Sequence, residues 1–103
     1  MRTLVVPPAA QRDENAVQML SAWIAEKQLH CALNIGMWQE DGRPEVPAWG
    51  ILLADVIRHI ANAMRDEYGM EVHKTIDGVV DALNKELENP TSKTKGGFHP
   101  GHS

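Results

Sequence analysis

The sequence predicts an α+β fold in which helices dominate. Two observations carry the prediction. Three stretches, about residues 13–26, 47–68 and 71–88, place apolar residues three and four apart, which is the period of a helix. Between the first and second, residues 29–38 switch to strict alternation, which is the period of a strand.

The long helix over 47–68 is the organising element. Trp49, Leu52, Leu53, Val56, Ile57, Ile60, Ala61, Met64 and Tyr68 fall on one broad stripe, widened by Ile51 and Ala54. Pro47 suits the first turn, where its missing N–H would be unpaired anyway. Gly69 suits the stop, where a left-handed residue is needed. A helix this apolar has to be covered on more than one side. Its interruption by Asp55, Arg58 and His59 excludes a membrane span, as does the lack of any run of about 20 apolar residues.

The helix predicted over 13–26 begins with Asp13 and Glu14, acids that complement a helix N-terminus. Ala16, Val17, Leu20, Trp23 and Ile24 form its stripe. In the strand over 29–38, Leu29, Cys31, Leu33, Ile35 and Met37 face the helices. His30, Ala32, Asn34, Gly36 and Trp38 face outward. One strand cannot satisfy its own backbone groups. Its partner is residues 2–6, the Met37–Gln39 region folded back, or the same strand of a second subunit. Residues 2–6, RTLVV, are β-prone but stop at Pro7-Pro8, so they form an edge strand or a docked arm. Residues 39–45 are a loop with Asp41-Gly42 as its turn signal. The third helix, 71–88, carries Val72, Ile76, Val79, Val80, Leu83 and Leu87 on its inner stripe, and the short link at Gly69-Met70 makes an antiparallel hairpin with the second. Asn89-Pro90 ends it. Residues 1–89 therefore read as one globular domain and residues 90–103 as a disordered tail with little to bury.

The net charge of the 103-residue chain is −4; without the last fourteen residues it is −6, eight bases against fourteen acids. An acidic body argues against nucleic acid as partner and against an anionic membrane surface. The single cysteine, Cys31, cannot form an intramolecular disulfide, and the apolar run at Leu4–Val6 is too short for a signal peptide, so a cytoplasmic setting is expected.

The residue pattern resembles a family of short proteobacterial proteins described only as a domain of unknown function. The resemblance rests on PPAA at 7–10, WIA and LHxxLNIGM within 23–37, WGxLLADVxRHxA at 49–61, and PTS with a following GG at 90–97. It implies a bacterial single-domain protein. It brings no activity, cofactor or catalytic residue.

Chemistry-bearing residues are few. Asp55 and His59 sit four apart on one helix face, beside Arg58, a spacing that lets a carboxylate orient an imidazole or share a metal with it. The ordinary alternative is a local ion pair. His30 and Asn34 would extend this group from the strand's outer face. His30 and Cys31 are adjacent and point to opposite faces, so they do not bind one ion together. No paired Cys or His spacing marks a structural zinc site, and no glycine-rich phosphate loop or nucleophile elbow is present, so the sequence calls for no catalytic residue and no cofactor. Trp38, beside Met37 on the less apolar strand face, suits an interface. The expected function is a protein-interaction or structural module, most simply a homodimer, and not an enzyme. The rivals are a small-ligand or metal-binding protein, or a minor enzyme, using Asp55, Arg58, His59, His30 and Asn34, and an adaptor holding a partner's amphipathic helix in a groove.

Overall fold

The computed structural model describes residues 1–100. Its elements are α1 (Pro8–Arg12), β1 (Leu20–Ala25), β2 (Gln28–Ile35), α2 (Met37–Glu40), α3 (Glu45–Tyr68), α4 (Val72–Glu88) and β3 (Lys95–Pro100). The α+β class holds, with α3 and α4 close to their predicted bounds. The origin of the sheet differs from the prediction.

Residues 20–25 are a strand, not the second half of a helix over 13–26. β1 runs antiparallel to β2, with Ala25 opposite Gln28 and Trp23 opposite His30. The two residues between them, Glu26 and Lys27, have φ of 52° and 64°. Two successive left-handed residues are the turn that matches the twist of a hairpin, normally written Asn-Gly. Leu20, Ala22 and Ile24 alternate as well as they fit a helical stripe, so period alone could not decide, and no glycine announced the turn. The shorter helix that does form, α1, begins at the proline pair.

β2 finds its other partner in the expected tail. β3 lies parallel to it, with Cys31 opposite Gly96 and Asn34 opposite His99. The sheet order is β1-β2-β3, so neither residues 2–6 nor a second subunit is needed to complete it. Residues 2–6 are an exposed arm without strand pairing, with Leu4 95% and Val5 86% exposed, and they border a cleft with Val17, Leu20 and Trp23. Residues 101–103 of the predicted tail lie outside the described residues.

Gly69 ends α3 at φ 70°, its N–H donating to the Arg65 carbonyl, and α4 returns antiparallel. The N-cap of α4 is Glu71, whose carboxylate accepts the N–H groups of His73 and Lys74. Beyond α4, Glu86 accepts from both the Thr91 N–H and hydroxyl, turning the chain towards β3. Ala54, Ile57, Ala61 and Met64 form the less exposed stripe of α3, matching Val72, Thr75, Ile76 and Val79 of α4. Ala61 is the single fully buried apolar residue among those described.

Candidate functional site

The second stripe of α3 is open. Ala48, Ile51, Leu52, Val56, Ile60 and Ala63 form the floor of a groove of about 920 Å³, with Trp38, Arg43 and Pro44 along one wall. Ile51 is 65% exposed, Val56 39% and Ile60 41%. The groove exists because α3 carries two apolar stripes and α4 covers only one.

The wall is built by Glu45 at the first turn of α3. Its carboxylate accepts the Gly36 N–H at 3.1 Å, the Gln39 N–H at 3.1 Å and the Trp49 indole N–H at 2.8 Å. One anion thus supplies acceptors for the orphan N–H groups of the short helix α2 and pins that helix to α3. Loss of water around the carboxyl raises its pKa, but the donors at Gly36, Trp49, Gln39 and Trp38 outweigh this and hold it below the ordinary carboxylate value. Trp38 stands edge-on to Trp49 with ring centroids 5.4 Å apart. The sequence pattern places Glu45 in a loop and Trp49 on the apolar stripe of the long helix. The signal available was a glutamate four residues before a tryptophan at a helix start.

Asp55 and His59 both line the groove, as their spacing requires. Asp55, however, pairs with Arg58, and both side chains are largely exposed. No carboxylate lies within ion-pairing distance of His59 among the described residues. His30 and Asn34 do not line the groove, so the structure does not bring the five candidate residues together. Trp38, predicted on the outer face of a strand reaching residue 38, lies in α2, because β2 stops at Ile35. Met37 opens the same short helix.

The two faces of the sheet also differ from expectation. Asn34, placed on the outer face by alternation, is the one buried polar residue among those described, 8% exposed. It sits in the central strand, its N–H donating to the Met19 carbonyl and β3 on its other side. Its Oδ1 and the Nε2 of His30 are enclosed without a hydrogen-bond partner. On the opposite, apolar face, Ile24 is 81% and Phe98 69% exposed, so the helices do not cover its outer strands. Among the described residues no group of three or more His, Cys, Asp or Glu is arranged to hold a metal ion, and no helix is long and apolar enough to cross a membrane.

Fold and groove together define a small α+β domain with an uncovered apolar face. The chain belongs to the family described as a domain of unknown function, DUF5076, whose model matches residues 3–91. A solved structure from the photosynthetic bacterium Rhodopseudomonas palustrus, described as a "putative pyruvate dehydrogenase", is similar to it at 26% identity, with a TM-score of 0.64 over 90% of each chain. Among curated proteins there is no match.

Proposed function

We propose that the protein is a cytoplasmic interaction or structural module that works as a homodimer. The observation that carries this is its surface. The chain exposes 8715 Å², whereas a compact monomer of 11.4 kDa exposes about 5,800 Å². Its radius of gyration is 15.5 Å, against about 13 Å for a compact domain of this length. The extended arm at residues 1–6 accounts for only part of the excess, because uncovered apolar side chains are spread over α3, α4 and the sheet. The excess of roughly 2,900 Å² per chain exceeds the roughly 1,000–2,500 Å² that each partner contributes to an obligate interface, so association covers a large part of it. A core with one fully buried apolar residue among those described does not offset the conformational entropy of folding alone.

Folding and association are then one equilibrium. The thermal midpoint rises by several degrees when protein concentration is raised from about 1 to 100 μM. A midpoint independent of concentration, with a monomeric mass at both, refutes the reading.

A second reading keeps a small ligand in the groove. It is favoured by Asp55 and His59 both lining an apolar floor beside Trp38. It predicts a saturable change in tryptophan fluorescence with an amphipathic ligand, lost in His59→Ala. The name of the Rhodopseudomonas structure does not carry over to this chain. Asp55 and Arg58 satisfy each other, and the groove offers no set of converging polar groups to fix a small keto acid.

A further inference from the structure

We infer that the open stripe of α3 is the two-fold interface itself, packed antiparallel against the same stripe of a second copy with its axis between Asp55 and Val56. The inference rests on the homodimer reading and specifies its contact.

An isologous interface must be complementary to itself when reversed. The groove-lining residues of α3 from Ala48 onward have that property; Pro47, in the first turn, lies outside the matched set. Read forward from Ala48 they run small, Ile51-Leu52, Asp55-Val56, His59-Ile60, small at Ala63. Reversed about the midpoint, Ala48 meets Ala63, Ile51 meets Ile60, Leu52 meets His59, and Asp55 meets Val56. The large aliphatic residues oppose each other around the crossing point, and the small residues lie at both ends of the matched stripe. The residues lie on two rows spaced by four, and such ridges interdigitate when two helices cross at about −50°.

The polar groups fit the same register. Each Asp55 already carries its own Arg58 and so brings no unpaired charge to the axis. His59 lies one turn from Asp55 and opposes an aliphatic side chain of the second copy. Trp38 walls the end of the groove at Ala48, which places it against the Ala63 end of the other α3. An amphipathic helix from a different protein would fill the groove too; the matched identities Ala48 with Ala63 and Ile51 with Ile60 are what favour a second copy. The exposed apolar face of the sheet, around Ile24 and Phe98, is the rival surface.

The register is tested with charge pairs in the full chain. Ile51→Lys and Ile60→Glu each place one charge against an isoleucine, twice per dimer. Each raises the dimer dissociation constant in sedimentation equilibrium on the order of a hundredfold. The double variant sets lysine against glutamate at both ends of the crossing and recovers at least about tenfold of that loss. Positions 51 and 60 are too far apart along one helix to pair within a chain, so recovery reports the contact between copies. A monomeric wild type refutes the homodimer reading and this inference together. A dimeric wild type that neither single variant weakens refutes the α3 assignment alone. Weakened single variants without recovery refute the register. If the single variants fail to fold, Val56→Cys in a Cys31→Ser background decides: mild oxidation gives a covalent dimer far faster than with Tyr68→Cys, and equal rates overturn the inference.

Discussion

Gly96→Ala should detach β3 from the sheet. A Cβ at this position would lie 1.9 Å from the Cys31 carbonyl oxygen and 2.9 Å from the Cys31 nitrogen and carbonyl carbon. Side-chain carbons essentially never come within 3.0 Å of such atoms, so the strands must separate locally by at least 1.1 Å. Every atom in the way is backbone, so no side-chain rotation relieves the overlap. The residue also has a φ of 127°, in a region that costs a side-chain-bearing residue about 1–3 kcal/mol. Strain and overlap together reach about 3 kcal/mol, so opening of β3 becomes about a hundredfold more frequent. Gly97→Ala is the matched control, because its Cβ would meet nothing within 4 Å. Hydrogen exchange read on residues 95–100 and 30–35 should show protection lost in the first variant and kept in the second. Equal protection in both would refute the parallel pairing of Cys31 with Gly96.

Three further outcomes follow from the same structure. Lys27→Gly removes one left-handed side chain from the β1–β2 turn and should stabilise the protein by about 0.5–1 kcal/mol in urea unfolding. Glu45, Glu71 and Glu86 all have carboxyl pKa values held below the ordinary 4.5. For Glu71 the cause is the His73 and Lys74 N–H groups, and for Glu86 it is Thr91. Their contribution to stability is therefore complete above the unfolded-state value and is lost as pH falls through the lower folded-state values. Urea midpoints should drop in the acid range below 4.5, and less steeply in Glu45→Gln, which is already weakened at neutral pH. Trp38→Ala should weaken self-association by about tenfold in sedimentation equilibrium, with little change in mean helicity.

The legible parts of the fold were those where one period dominates. α3 and α4 repeat every three to four residues over more than four turns, and β2 alternates over eight residues, so their existence and approximate limits follow from the sequence. β1 was hidden because Leu20 and Ile24 satisfy both periods and its turn is Glu-Lys. β3 was hidden because KGGFHP has one large apolar residue. Its strand character comes from the close approach that Gly96 permits, a property of the partner strand. In the candidate site, the Asp55–His59 spacing correctly placed both residues on one helix face. That face proved to be the wall of an apolar groove and not a polar pocket, because Arg58 claims the carboxylate. The groove could be anticipated from a stripe too wide for one neighbour. The Glu45–Trp49 contact was readable from its spacing, but the hold of Glu45 on Gly36 and Gln39 was not, since it depends on where α2 folds back.

The most direct test of the central claim is native mass spectrometry of protein purified without chelator. A dimer at twice the 11.4 kDa chain mass, carrying no further mass, is the predicted result. A monomer at high micromolar concentration would contradict the account, because the open α3 stripe and sheet face would then stay exposed to water.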